Sequence, residues 1–164
     1  MSLAGLREAV DADSWALIAL ISACWAEYPG CVVDIEGEYP ELRAPASHYR
    51  ATGGILWVIP EGDWMAASVG LMPARPGTAE LVKLYVARHR RGQGLGQALV
   101  KWVEHQARTR GDRQIELWSD TRFHAANQLY QRCGFSTTGE SRDLHDLSGT
   151  TEYAFHKSLS GPPG

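Results

Sequence analysis

The sequence has few cysteines, and their spacing pairs none of them. Cys24, Cys31 and Cys133 are its only three cysteines, and no two of them form a CxxC pair. The odd count and wide spacing exclude a disulfide framework and a cysteine-rich zinc module. We therefore expect reduced thiols in a cytoplasmic protein, and we assign no metal site.

Long apolar runs are also missing. No segment approaches the roughly 18 consecutive apolar residues that a membrane-spanning helix requires. Residues 1–10 include Arg7 and Glu8 and lack the apolar centre of a signal peptide. We therefore expect a cytoplasmic protein without a membrane partner.

An excess of positive charge is absent as well. The chain has 16 Lys+Arg and 19 Asp+Glu, a formal net charge of -3. Nucleic acid is therefore not an expected partner, because it binds clearly basic domains. The charge is uneven, since residues 1–87 carry 5 basic and 11 acidic side chains, and residues 88–164 carry 11 and 8. We expect an anion to bind the second half and a cation to bind the first.

The composition that remains is that of an ordinary globular domain, with 44% hydrophobic residues in a chain of 164. We expect one domain over residues 1–159 and a disordered tail at 160–164. Apolar periodicity predicts helices at 17–25, 94–110 and 126–133, and strands at 55–59, 64–72, 80–87, 114–118, 135–144 and 151–157. Asp13 or Ser14 is the expected cap of the first helix, and proline and glycine signals predict a short helix at 45–52. The central strand–helix–strand order requires a parallel pair with a right-handed crossover. The predicted fold class is α+β, with a mixed, mostly antiparallel sheet, a central parallel strand pair and flanking helices.

A glycine-rich loop joins the third strand to the long helix, Arg91-Gly92-Gln93-Gly94-Leu95-Gly96. Glycine lets the backbone approach a ligand closely, and the first N–H groups of a helix lack internal acceptors. With the helix dipole and the neighbouring arginines, this arrangement predicts a phosphate-binding site. The alternative is a plain turn with solvated arginines, but three glycines in five residues exceed what a turn needs.

Two common phosphate-binding motifs do not match this loop. No Lys-Ser or Lys-Thr follows it, as a P-loop requires, and Gln97 occupies the third glycine position of a dinucleotide fingerprint counted from Gly92. Segment 91–96 instead resembles the [QR]xxGx[GA] pyrophosphate loop of the GNAT family of N-acetyltransferases. Segment 127–135, with its Asn, Leu-Tyr and Gly-Phe, is similar to the second signature of that family. The order of elements agrees with the family over about residues 5–158.

This resemblance implies an acetyl-CoA-dependent N-acetyltransferase that moves an acetyl group to a primary amine by direct attack in a ternary complex. In the family, two splayed parallel strands hold the pantetheine arm, and a strand N–H group polarises the thioester carbonyl. The residues implied for acetyl-CoA binding lie on the third strand, in the loop and in the second signature: Leu84, Tyr85, Val86, Arg91, Gly92, Gln93, Gly94, Leu95, Gly96 and Asn127.

The resemblance implies two catalytic residues. Tyr130 corresponds to the family's general acid, which protonates the leaving thiolate; its alternative role is core packing. Glu80 lies where several family members carry a general base, and its alternative is a surface charge at the end of a strand. Rival bases are Asp34, Glu36, Glu38, His124 and His145.

An acidic segment is the candidate acceptor site. Residues 27–41 contain five carboxylates and no basic residue. In the family this region often walls the acceptor site, and we take Glu36 and Glu38 as the substrate-binding candidates, because negative charge attracts a cationic amine. The alternative is a solvated polar loop.

The resemblance does not identify the acceptor, which is either a small-molecule amine or a peptide amine. Family members often form homodimers, but the sequence has no interface signature. An acetyl-CoA-binding sensor without turnover is the main alternative function, and an enzyme acting on another nucleotide is the third.

Overall fold

The computed structural model describes residues 3–161. Its helices are α1 (Ser14–Trp25), α2 (Pro45–Ala51), α3 (Leu95–Arg110) and α4 (His124–Arg132). Its strands are β1 (Arg7–Glu8), β2 (Ile55–Glu61), β3 (Trp64–Arg75), β4 (Thr78–Val86), β5 (Gln114–Asp120), β6 (Ser136–Asp143) and β7 (Thr151–Ser158). None of the helices in this part of the chain has the length and apolarity needed to cross a membrane.

The seven strands form one sheet in the order β1-β2-β3-β4-β5-β7-β6. Strands β4 and β5 are parallel, and every other neighbouring pair is antiparallel. Helix α3 connects the parallel pair, as the predicted crossover requires. The structure confirms the predicted α+β class with a mixed sheet and a central parallel pair.

Helices cover both faces of the sheet. Leu99 of α3 packs in one buried cluster with Ile115 of β5 and Trp57 of β2. Leu17 of α1 packs in a second cluster with Leu56 of β2. Because successive strand residues point to opposite faces, the neighbours Trp57 and Leu56 place the two clusters on opposite sides.

The sheet opens between β4 and β5. The two strands pair over three positions only, the last being Glu80 opposite Glu116. Strand β4 then continues to Val86 and β5 to Asp120 without pairing to each other. The facing edges therefore offer backbone N–H and C=O groups to a ligand.

A bulge in β4 marks the start of this opening. The register between β3 and β4 shifts after Ser68, and Lys83 has a φ of 52°. The Ser68 hydroxyl donates a hydrogen bond of 2.7 Å to the Lys83 carbonyl, which holds the left-handed residue in place. Bulges bend a strand and redirect its side chains.

The sequence analysis missed β1, which pairs with Val58 and Trp57 of β2. Two residues are too short to show a periodicity. Asp13 is the N-cap residue of α1, but its side chain makes no capping hydrogen bond to the helix. Its carboxylate instead accepts hydrogen bonds from Arg7 at 2.8 and 2.9 Å and from the Val10 N–H at 2.8 Å. The Arg7 guanidinium lowers the Asp13 pKa.

The predicted tail lies partly beyond the described part of the chain. Ser160 and Gly161 are exposed and irregular. Residues 162–164 lie outside the described residues.

Candidate active site

The larger of two adjoining cavities lies beside the end of β4 and has a volume of about 350 Å³. Its walls come from α1, the β4 edge, the glycine loop, the start of α3 and α4. The sequence-predicted residues that line it are Leu84, Tyr85, Val86, Arg91, Gly92, Gly94, Leu95 and Gly96. Eight of the ten residues predicted to bind acetyl-CoA therefore meet around one cavity.

The glycine loop has a backbone conformation that residues with a Cβ atom rarely adopt. Gly92 has a φ of 73° and Gly94 a φ of 78°, both in the left-handed region. Gly94 is the N-cap of α3, and its carbonyl accepts the hydrogen bond from Ala98 N–H at 3.0 Å. The earlier N–H groups of α3 have no partner within the helix, so they are available to an anion.

Gly96 allows α3 to approach α4. A Cβ atom at this position would lie 3.0 Å from the Leu129 Cδ2 atom. This distance is shorter than ordinary van der Waals contact, so a larger residue would push the two cavity walls apart. Gln93 does not line the cavity, and its amide donates to the His89 carbonyl at 3.4 Å.

Arg91 joins three elements at the cavity wall. Its guanidinium contacts the Glu27 carboxylate at 2.7 Å and the Val86 carbonyl at 2.9 Å. A third contact, of 3.4 Å, reaches the Cys24 sulfur, and burial raises the pKa of that thiol. Of the other arginines that precede the loop, Arg90 pairs with Glu61 at 2.8 Å instead.

Arg132 on α4 supplies a positive charge that the sequence analysis missed. It lines the larger cavity opposite the glycine loop. Its signal in the sequence was its position inside the second signature, two residues after Tyr130.

The edge of β4 points backbone groups into the opening. Ala87 N–H donates to the Ala66 carbonyl of β3 at 2.8 Å. Because these directions alternate along a strand, the N–H and carbonyl of Val86 point away from β3. The Tyr85 side chain extends toward α1, where its hydroxyl accepts a hydrogen bond of 3.0 Å from the Trp25 indole.

Tyr130 lies on α4 and lines the smaller cavity, which has a volume of about 100 Å³. Its ring is 6% exposed and packs against Phe135 and Phe155. Its hydroxyl makes no hydrogen bond within residues 3–161. Burial raises the pKa of Tyr130 well above its usual value. The residue therefore combines core packing with a protonated hydroxyl beside a cavity.

Asn127 connects α4 to the end of β5. Its amide nitrogen donates to the Asp120 carbonyl at 3.2 Å. Its Oδ1 atom is buried and has no partner among the described residues. Asn127 lines neither cavity.

Glu80 lies at the root of the opening and lines neither cavity. Burial raises its pKa, the Arg142 charge opposes this rise, and the neighbouring Glu116 adds to it. Glu116 itself pairs with Arg75 at 2.7 Å.

Glu36 and Glu38 are not brought together at a cavity. The Glu36 carboxylate is exposed and pairs with Arg43. Glu38 accepts a hydrogen bond of 2.8 Å from Leu147 N–H, so it holds the loop between β6 and β7.

The smaller cavity contains residues that the sequence analysis did not select. Besides the selected Tyr85 and Tyr130, its walls include the charged residues Lys83, Asp120 and Glu152 and the aromatic side chains Trp25, Tyr39, Trp118 and Phe123. The two cavities share Leu84, Tyr85 and three other residues. They are therefore neighbouring compartments that meet at the β4 edge.

The sequence was compared with known protein families and curated proteins. The model of the Acetyltransferase (GNAT) family matches residues 17–135. N-acetyltransferase 8 of Homo sapiens is 32% identical over 131 residues, which are 77% of this chain and 56% of that protein. Probable N-acetyltransferase 14 of Xenopus tropicalis is 32% identical over 102 residues, 61% of this chain and 50% of that protein. The chain thus spans about half the length of the curated relatives it matches.

Solved structures share the fold. A GNAT-family acetyltransferase from Staphylococcus aureus Mu50 has a TM-score of 0.79 at 19% identity and covers 94% of this chain and 98% of its own. A putative acetyltransferase from Salmonella typhimurium, solved with its cofactor acetyl-CoA, has a TM-score of 0.70 at 17% identity and covers 97% and 95%. At these identities the likeness establishes the fold.

Proposed function

The chain belongs to the acetyltransferase (GNAT) family, and from this we propose that it is an N-acetyltransferase that moves an acetyl group from acetyl-CoA to a primary amine. The observation that carries the proposal is a pair of adjoining cavities along the end of β4. The glycine loop lines the larger cavity, and β4 and β5 both line the smaller one. The larger cavity can bind the long anionic donor, and the smaller cavity can bind the acceptor.

The glycine loop supports donor binding. Gly92 and Gly94 have left-handed backbones, and unpaired N–H groups open α3. These features suit a pyrophosphate group. Arg91 and Arg132 add positive charge to the same walls.

The opening between the strands supports binding of the pantetheine arm. That arm carries amide groups, and the unpaired edges of β4 and β5 offer complementary donors and acceptors. The buried, unpartnered Oδ1 atom of Asn127 supports its assignment to the same arm, because it lies at the end of β5.

Direct attack in a ternary complex requires a neutral amine beside the thioester. The N–H of Val86 is suited to stabilise the oxyanion, since it points away from β3 into the opening. Tyr130 is suited to protonate the thiolate, because its hydroxyl is protonated at neutral pH and lines the smaller cavity. Glu80 is assigned as the base that accepts the amine proton through water, and its position at the root of the opening calls for such a relay.

The second cavity favours an enzyme over an acetyl-CoA sensor without turnover. A sensor needs the donor cavity alone, whereas this chain also has an adjoining cavity containing a phenol.

Three free thiols support a cytoplasmic location.

A release assay tests the proposal. Purified protein is incubated with acetyl-CoA and a panel of primary amines, and free thiol is measured against reactions without amine. Amine-dependent thiol release with formation of the acetylated amine is the expected result. Saturable binding of acetyl-CoA without release for any small-molecule or peptide amine would favour the sensor, and absence of both would reject the family function for this chain.

A further inference from the structure

The smaller cavity is balanced in charge. Each of its charged side chains pairs with an opposite charge, in the pairs Lys83–Glu41 at 3.3 Å, Asp120–Arg122 at 2.8 Å and Glu152–Arg142 at 2.7 Å. No carboxylate on the cavity wall is left without a cationic partner. The rest of the wall consists of six aromatic side chains, five aliphatic side chains and the hydroxyl residues Ser119 and Thr150. A multiply cationic acceptor would therefore lose hydration there without gaining a free counter-charge from a side chain that lines the cavity.

Three exposed apolar residues lie on chain segments next to this cavity. Leu144 lines the cavity and is 37% exposed. Leu147 is 70% exposed on the same loop between β6 and β7, and Val32 is 49% exposed on the segment after α1. These three residues form what we call the apolar rim.

Hydrogen bonds fix the apolar rim in place. The Ser148 hydroxyl accepts from Val32 N–H at 2.8 Å and donates to the Val32 carbonyl at 3.0 Å. Leu147 N–H donates to Glu38, and Arg122 donates to the Ser148 carbonyl at 3.0 Å. The backbones of Val32 and Leu147 are thus fixed in position by hydrogen bonds to side chains.

The size of the cavity limits what it can enclose. Its volume is about 100 Å³, against about 350 Å³ for the larger cavity. An amino group and a few carbon atoms fill this space. The remainder of an acceptor must lie outside, and Leu144 makes the apolar rim continuous with the cavity wall.

We propose that the acceptor is a primary amine joined to an apolar alkyl or aryl body. The amino group enters the smaller cavity, and the apolar body covers Val32, Leu144 and Leu147. This inference rests on the proposed function and narrows its substrate class. It predicts that affinity for the acceptor depends on buried apolar area rather than on salt-sensitive attraction.

A chain-length series tests the inference. The probes are linear primary alkylamines of increasing length, with amino alcohols and α,ω-diamines of equal length as matched controls. Each added methylene that reaches the apolar rim should raise kcat/KM about fourfold, since burial of a CH₂ group is worth about 0.8 kcal/mol. The rise should stop when the chain extends past the rim. The terminal hydroxyl or ammonium group should remove the gain.

Variants locate the effect. Leu147→Ser and Val32→Thr should each lower kcat/KM for the longest alkylamine about five- to tenfold, as expected for the loss of part of one apolar contact. The same variants should leave kcat/KM for the shortest amine and the affinity for acetyl-CoA unchanged. Trp64→Ser is the matched control, because Trp64 is 71% exposed on the hairpin between β2 and β3.

Three outcomes would overturn the inference while leaving the proposed function intact. The first is a flat chain-length series, and the second is a preference for diamines over alkylamines. The third is turnover restricted to amines whose body carries polar groups or a further positive charge. Absence of both acetyl-CoA binding and thiol release with every amine would instead remove the proposed function. Those results are distinguishable because donor binding is measured separately.

Discussion

At the scale of the single residue, removing the Tyr130 hydroxyl distinguishes a role in catalysis from a role in core packing. Tyr130→Phe keeps the ring that packs on Phe135 and Phe155 but deletes the proton donor. General acid catalysis contributes about 10²–10⁴ in rate, and a thiolate partly leaves without a proton, so we expect kcat to fall about tenfold or more. Acetyl-CoA affinity and thermal stability should change little. Steady-state kinetics and a thermal unfolding curve check both parts.

Tyr49→Phe is the matched control for this substitution. Tyr49 is 4% exposed, and burial raises its pKa as it does for Tyr130, but it belongs to the other buried cluster and lines neither cavity. Its loss of a hydroxyl should leave kcat unchanged. Wild-type kcat in Tyr130→Phe would assign that residue to packing alone.

Glu80 is expected to shape the pH dependence of the reaction. A base acts in its ionised form, so activity should rise with pH through the Glu80 pKa. Burial raises that pKa above the ordinary value of 4.5, which places the acid limb of the kcat/KM profile at a higher pH than for a solvated carboxylate. Glu80→Gln should abolish the limb and lower activity. A wild-type profile in this variant would exclude Glu80 as the base.

Glu116→Gln tests the same electrostatics from the neighbouring strand. Glu116 lies opposite Glu80 in the β4–β5 register, and its negative charge raises the Glu80 pKa. Removing it should move the acid limb to lower pH and leave the maximum rate unchanged. If the acid limb of the kcat/KM profile does not move, it reflects the titration of a group other than Glu80.

At the scale of the element, the junction of β4 and α3 is where we propose that the backbone binds acetyl-CoA. Gly94→Val forces a branched side chain onto a φ of 78° at the N-cap of α3. We expect it to abolish acetyl-CoA binding. In the wild type, a ligand at 100 times its Kd stabilises the fold by about 2.7 kcal/mol, which raises Tm by about 5–10 °C in a domain of this size. This shift should vanish in the variant.

Gly111→Val is the control for backbone strain. Gly111 is the C-cap of the same helix with a φ of 89°, and nothing lies within 4 Å of a Cβ placed there. The substitution should lower Tm in the absence of ligand by a similar amount. It should keep the acetyl-CoA-induced shift, because Gly111 lies at the far end of α3. A retained shift in Gly94→Val would contradict the assignment of the loop.

Elements that are local in sequence were predictable, and elements assembled from distant segments were not. The glycine loop occupies six consecutive residues, so its glycines and its helix start are visible together in the sequence. The smaller cavity joins Asp120 of β5 to Glu152 of β7, and only the strand order places these side by side. Likewise, Glu38 contacts Leu147, a residue distant in sequence, and no local pattern reveals that contact.

At the scale of the whole molecule, the seven strands of residues 3–161 form one continuous sheet. We propose that the chain therefore unfolds as one cooperative domain. The cluster on the α3 face contains Trp57 near the start of the sheet and Leu159 after its last strand. Loss of either end therefore opens the same core. Leu159 is 4% exposed. Leu159→Ala should therefore lower the free energy of unfolding by about 2–5 kcal/mol.

Urea unfolding followed by tryptophan fluorescence and by far-UV circular dichroism measures this cooperativity. The six tryptophans include Trp25, Trp57 and Trp118, which lie on three separate elements. Both probes should give one coincident transition. Leu159→Ala should move both midpoints together at constant m-value, and saturating acetyl-CoA should move them together in the opposite direction. Two resolved transitions, or a variant that shifts one probe alone, would show that the second half of the sheet folds independently of the first.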